Sequence, residues 1–296
     1  VAPTGALGGI WMAGAAPALD DAGDLYVTTG NGSFDADRGG PNYGMSLLRA
    51  TPRLAVTDYF APFNERVESK HDLDFASTGV MLLPQTSGPH PREAVSADKR
   101  GWIFVVDRDH LGGFSTHGND IVQQLNGNLG GQMYSSPAYF DGAVYYAPSG
   151  QPLRRYDVRK GLLSEQPVSR SRDSFNYPGA TPAISSNGNA GGIVWTIAVS
   201  GRVRGGPPAQ LRAYDARDVS IELYDSGRAG ARDRSPPGTK FSVPTVAGGM
   251  VYFGTQTELE AYGLLTARTV IGRTRPRSDF LSREPRSVRE SRGVGR

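Results

Sequence analysis

A phrase repeated three times in the second half of the chain restricts the fold more than any other feature. It opens at Ser136-Pro137, passes through a glycine turn to Val144-Tyr145-Tyr146, and closes on Leu153-Arg154-Arg155-Tyr156-Asp157. It returns as Thr181-Pro182, Gly192-Ile193-Val194-Trp195 and Leu211-Arg212-Ala213-Tyr214-Asp215, then as Val243-Pro244, Gly249-Met250-Val251-Tyr252 and Leu259-Glu260-Ala261-Tyr262-Gly263. A unit of short strands cannot bury its own apolar face, so it must stack on copies of itself. The prolines lie 45 and 62 residues apart, against about 40–50 residues for a four-stranded propeller blade. The longer interval carries an Arg/Gly/Pro-rich insertion, Ser200 to Gln210. Turns such as Asp141-Gly142 and Gly248-Gly249 supply the positive φ that tight hairpins require.

Two further units precede these three. The first runs from Trp11 through Ala16-Pro17, Asp24 to Val27 and Met45 to Leu48, with an outgoing strand over Leu54 to Phe60 and a polar loop from Asn64 to His71. The second begins at Gly79 to Pro84, reaches Ala94, and ends on Gly101 to Arg108. Residues 111 to 132 are rich in Gly, Asn and Gln, lack a strand pattern, and read as a long inter-blade loop of the kind that carries ligand contacts on a propeller face. The fold class expected is therefore all-β: a β-propeller of four-stranded blades, five of them in this chain, with Leu264-Leu265 ending the last strand. Residues 1–266 form the partial propeller, and 267–296 an Arg-rich C-terminal tail expected to be disordered.

Length and charge sharpen this division. The 296 residues begin at Val1 and are few for a closed ring of about seven or eight blades, so the chain reads as a fragment lacking leading blades. The tail holds nine Arg against Asp279, Glu284 and Glu290, so the +3 of the whole chain less +6 for the tail leaves −3 for the body. The basic pI of 9.1 thus belongs to a segment poor in aromatics, and nucleic acid is not an expected partner. Absence of cysteine excludes thiolate chemistry and Cys-ligated zinc. No apolar run approaches the ~20 residues of a membrane helix. His71, His90, His110 and His117 lack metal-site spacing, and neither a Gly-x-Ser-x-Gly elbow nor a Rossmann glycine pattern is present.

Three ordered stretches carry a family resemblance. They are a Trp-led strand ending Thr29-Gly30-Asn31, then His71-Asp72-Leu73-Asp74-Phe75, then Ala97-Asp98-Lys99-Arg100-Gly101 leading into Ile103 to Arg108. In this order they resemble the pyrroloquinoline quinone (PQQ)-dependent alcohol dehydrogenases and their quinoprotein propeller relatives, whose strand framework would cover residues 8 to 265. The resemblance implies an eight-bladed parent, Asn31 and Asp74 as calcium ligands, Asp74 as the catalytic base, and Lys99 and Trp11 as cofactor contacts. It also implies export to the periplasm or beyond. Calcium favours hard oxygen ligands; a carboxylate base and a cation beside the developing oxyanion suit alcohol oxidation.

Each residue has a plainer reading. Asn31 between two glycines suits a left-handed hairpin position, Asp74 between Leu73 and Phe75 suits a strand residue turned to solvent, Lys99 suits a solvated hairpin charge, and Trp11 suits inter-blade packing. The blade-closing Asp-x-x-Thr-Gly turn of the family is also altered, reading Asp157-Val158-Arg159-Lys160-Gly161 and Asp215-Ala216-Arg217-Asp218-Val219. Two functions from different classes follow. One is a binding or scaffold module presenting a propeller face to a protein or carbohydrate ligand; the other is a PQQ- and calcium-dependent dehydrogenase of small alcohols whose axial site is completed by blades preceding Val1. The dehydrogenase reading requires the side chains of Asn31, Asp74 and Lys99 to converge within one axial cavity.

Overall fold

Strand alternation with apolar residues on both faces demands a sheet covered on both sides, and stacked blades provide it. The computed structural model describes residues 1–200 and 204–265, and its body spans Val1–Tyr262. Consecutive antiparallel sheets follow one another along the chain, each a meander of neighbouring strands. Blade 1 contains β1 (Ala18–Leu19), β2 (Leu25–Thr28), β3 (Leu47–Ala50) and β4 (Val56–Phe60). Blade 2 contains β5 (Met81–Leu82), β6 (Glu93–Ala97), β7 (Ile103–Asp107) and β8 (Gln123–Leu125).

Blade 3 is built from β9 (Ala138–Phe140), β10 (Ala143–Tyr146) and the long β11 (Gln151–Arg159), which pairs with both β12 (Leu162–Leu163) and β13 (Ser169–Phe175). Blade 4 holds β14 (Ala183–Asn187), β15 (Ala190–Ala198), β16 (Gln210–Asp215) and β17 (Glu222–Asp225). Blade 5 has three strands among the described residues, β18 (Thr245–Ala247), β19 (Met250–Gly254) and β20 (Leu259–Gly263). The protein is thus an all-β chain of propeller blades, and the repeated phrases fall on the first three strands of blades 3, 4 and 5.

The apolar core is divided into layers between successive blades. Phe104 and Val106 of β7 pack with Tyr26, Leu47 and Phe60 of blade 1, whereas Ile103 and Val105 of the same strand pack with Val144, Tyr146 and Tyr156 of blade 3. Tyr145 and Leu153 then meet Val194 and Tyr214 of blade 4, and Ile197 and Leu211 meet Val251 and Phe253 of blade 5. This period-two alternation, buried on both faces, is what the sheet-on-sheet arrangement requires.

The starts of the inner strands crowd together. A methyl group at Gly79 would lie 2.2 Å from Ser136 Oγ and 2.6 Å from Ala15 Cβ, and one at Gly14 would lie 2.9 Å from Val243 Cγ2 and 3.3 Å from Thr181 Oγ1. Small residues at the blade entries permit this approach.

Three local expectations change. Asn64 to His71 is no loop, because Glu65–Lys70 forms helix α1. Its i, i+3 spacing turns both Glu65 and Glu68 inward, an inward face that acidic composition concealed. Residues 111–132 contain β8, whose hydrogen-bonding residues Gln123 and Gln124 are polar and whose single core residue is Leu125. A three-residue outer strand offers too little apolar alternation to register as one. The last strand ends at Gly263, before Leu264. Residues 201–203 of the insertion and the tail 267–296 lie outside the described residues.

Candidate functional site

Three chain segments from two blades meet at one cluster. The first follows β2, where Gly30 N–H donates to Gly9 O at 2.9 Å and Asn31 O accepts from Gly8 N–H at 2.7 Å, so the N-terminal segment runs alongside. Gly30 has no room for a side chain. A Cβ there would lie 2.6 Å from Asp74 Oδ1 and 3.3 Å from Trp11 Nε1. The absence of a side chain lets the Asp74 carboxylate and the Trp11 indole nitrogen approach the backbone where a Cβ would stand.

The second segment descends from α1. Glu68 O accepts from Leu73 N–H at 3.0 Å, and Asp72 adopts a left-handed φ of 59°, reversing the chain after the helix. Asp74 then precedes the 3-10 turn Phe75–Ser77, whose residues are all buried, and Ser77 Oγ donates to Asp74 O at 3.0 Å. The third segment is the turn between β6 and β7, where Gly101 at φ 84° closes on Asp98 O and projects Lys99. Lys99 N–H donates to Asp74 O at 3.1 Å, and Lys99 O accepts from Met133 N–H at 3.1 Å.

The side chains complete the junction. Asp74 Oδ1 accepts from the Asn31 backbone N–H at 2.9 Å, and Asp72 Oδ1 accepts from Asn31 Nδ2 at 2.8 Å. Lys99 Nζ lies 2.7 Å from Asp72 Oδ2 and 3.7 Å from Asp74 Oδ2. The Tyr134 ring stands 5.9 Å from the same ammonium, a cation–π distance. Asn31 Oδ1 is buried without a hydrogen-bond partner.

Environment separates the two carboxyls. Burial pushes the Asp74 carboxyl up, against the opposing pull of the Asn31 amide and the Lys99 charge. The Lys99 hydrogen bond holds the exposed Asp72 carboxyl down. For Lys99, burial opposes the charge, but the hydrogen bond and charge of Asp72 outweigh it and raise the ammonium. The arrangement pairs a desolvated carboxyl, inclined to hold a proton, with a persistent cation.

Asn31, Asp74 and Lys99 therefore lie together, and their plainer readings do not describe their surroundings. Asp74 is 8 % exposed, because the segment is a 3-10 turn rather than a strand facing solvent. The Lys99 side chain is 12 % exposed, pinned by two carboxylates. The left-handed residue of the cluster is Asp72, and Asn31 is not among the residues with positive φ. Trp11 is no buried core residue, being 42 % exposed, but its ring packs edge-to-face at 6.4 Å on Phe241, which precedes blade 5. Asp72, Tyr134 and Phe241 join the site without having been singled out by sequence. Asp72 alone carried a signal, its spacing of two residues from Asp74.

The donor set offers calcium a beginning. The unpartnered Asn31 Oδ1 and the Asp74 carboxylate are hard oxygens of the kind calcium selects, though a full shell takes about six to eight. Among the described residues no group of three or more His, Cys, Asp or Glu is arranged to hold a metal ion.

No protein-family model matches the chain. No curated protein matches it either. Similar solved structures include the quinohemoprotein alcohol dehydrogenase from Comamonas testosteroni, at 14% identity, TM-score 0.44, 84% of this chain and 44% of that one. BamB from Moraxella catarrhalis is similar at 12% identity and TM-score 0.43 over 83% of this chain and 59% of its own, and the computationally designed Ika4 protein at 13% identity and TM-score 0.37 over 58% of this chain and 85% of its own. The chain thus spans less than two thirds of the first two proteins, and no function passes from them at this level of similarity.

Proposed function

We propose that the Asn31–Asp74–Lys99 cluster is one side of a quinone-dependent alcohol-oxidising site, PQQ with calcium being the cofactor pair its donors suit. The observation that carries this reading is the convergence of a buried carboxyl, a cation and an unpartnered amide oxygen from segments 43 and 68 residues distant from Asn31 in sequence. Asn31 Oδ1 and Asp74 would contribute ligands to the ion. When bound, a quinone would supply the two-electron acceptor for the hydride released from the alcohol carbon.

The chain's own residues supply the proton chemistry. Asp74 Oδ2 takes the alcohol hydroxyl proton as the C–H bond breaks, and desolvation makes that carboxylate the stronger base. The Asn31 amide holds Oδ1 and fixes the carboxylate plane. Lys99 keeps a positive charge within reach of oxygen atoms that gain negative charge, while Asp72 and Tyr134 steady its side chain. Trp11, 42 % exposed and with its Nε1 close to Gly30, would be the aromatic contact for a planar ligand. The substrate on this reading is a small alcohol, and an exported protein is the matching location.

A second reading is favoured by the ion pairs themselves. Lys99 already neutralises the Asp72 and Asp74 carboxylates, so the cluster satisfies its own charge without a metal. In that case the propeller is a binding or scaffold module for a protein or carbohydrate ligand. Dye-linked oxidation of short alcohols, measured with PQQ and calcium on the wild-type chain and Asp74→Asn, separates the two. Turnover lost in the variant supports the dehydrogenase, and no turnover with no quinone binding supports the module.

A further inference from the structure

Beneath the cluster lies a second set of charges that the proton chemistry does not use. Arg100 follows Lys99 in the β6–β7 turn. Its guanidinium reaches Glu68 on α1 and Asp98 at the head of its own turn, 2.7 Å from Asp98 Oδ2. It also stacks on the Trp102 ring at 3.7 Å. Glu68 and Asp98 are both 0 % exposed. Asp98 further accepts from Trp102 N–H at 3.0 Å, which fixes the turn.

Glu68 is also where the acidic segment is suspended. Its backbone oxygen accepts from both His71 N–H and Leu73 N–H, the two amides flanking Asp72. The acidic arm and the Lys99 turn are separate elements, 27 residues apart between Asp72 and Lys99. Near the surface they are joined by the Lys99 N–H to Asp74 O bond and by the Lys99–Asp72 ion pair, which the exposure of Asp72 weakens. The guanidinium joins them one layer deeper: its Nη2 contacts both Glu68 Oε1 and Asp98 Oδ2, and its Nε donates to Asp98 Oδ2 at 2.8 Å.

We propose that Arg100 is a positioning residue, a clamp between Glu68 and Asp98 that sets the distance from the Lys99 ammonium to Asp72 and Asp74. Its relevance to alcohol oxidation rests on the quinone-site reading. The placement itself does not, and it is tested without quinone or calcium.

The test is the rate of Lys99 acetylation by acetic anhydride, read by mass spectrometry on the full chain with Lys160 as internal reference. Arg100→Met and Glu68→Gln are compared with Ile197→Ala, a core variant in the layer between blades 4 and 5. The clamp predicts acetylation of Lys99 faster by about fivefold or more in Arg100→Met, a smaller increase in Glu68→Gln, and no change in Ile197→Ala. Equal rates in wild type and both clamp variants overturn it. So does an equal rise in Ile197→Ala, which would mean general loosening. Should Arg100→Met fail to fold, Glu68→Gln against Ile197→Ala decides the same question.

Discussion

The backbone amide of Asn31 donates to Oδ1 of Asp74 at 2.9 Å, joining the end of a blade 1 strand to the approach to blade 2. That bond leaves Oδ2 as the free edge of the carboxylate, 3.7 Å from the Lys99 ammonium. The geometry gives each of the three residues a distinct consequence when altered.

Replacing Lys99 removes the charge that draws the Asp74 proton away. Burial already raises the Asp74 carboxyl, and Lys99 opposes that rise. Lys99→Met is therefore expected to move the Asp74 titration to still higher pH, as followed by carboxyl carbon NMR. Asp72 should move the same way, since the Lys99 hydrogen bond is the main cause of its depression.

A titration with the opposite stability trend from ordinary carboxylates is expected at Glu68. Burial pushes its carboxyl up to about 7, with Arg100 opposing and Asp98 reinforcing the rise. A carboxyl raised in the folded state binds its proton more tightly folded than unfolded. Its contribution is thus fully present below pH ~4.5 and disappears as pH rises through ~7. Asp98 is raised by burial in the same direction. Glu68→Gln removes the titration while keeping the shape, so the melting temperature of the variant relative to wild type should rise between pH 4 and pH 8. The free-energy difference between the two conditions is about 3 kcal/mol. Equal effects at both pH values would contradict it.

The layered core makes a separate claim. Phe104 is fully buried, with Phe60 and Phe75 rings at 5.6 and 5.2 Å. Phe104→Ala opens a cavity between blades 1 and 2 and should cost about 3–5 kcal/mol by urea denaturation. A cost below ~1 kcal/mol would mean that this layer is not packed as described.

Blade order and most strand positions were legible because the same phrase recurs and glycine turns punctuate it. The run Gly101 to Arg108 marked the closing strand of the second unit. What escaped were elements held by polar contacts. The inward face of α1 is Glu65 and Glu68, so no apolar stripe marked it. β8 carries Gln123 and Gln124, whose strand pairing comes from backbone rather than side-chain pattern. At the candidate site, ordered motifs singled out Asn31, Asp74 and Lys99, which the fold brings together, whereas Tyr134 and Phe241 come near only through blade packing. The burial of Asp74 was hidden for a related reason: alternation around Leu73 and Phe75 mimics a strand, but the left-handed Asp72 breaks it.

Calorimetric titration of PQQ, with calcium present, into the wild-type chain and into an Asn31→Ala, Asp74→Ala double variant tests the proposed site most directly. The account predicts calcium-dependent binding to the wild type that weakens at least about a hundredfold in the variant, which loses both oxygen ligands. Absence of binding to the wild type, or binding unchanged in the variant, would contradict it.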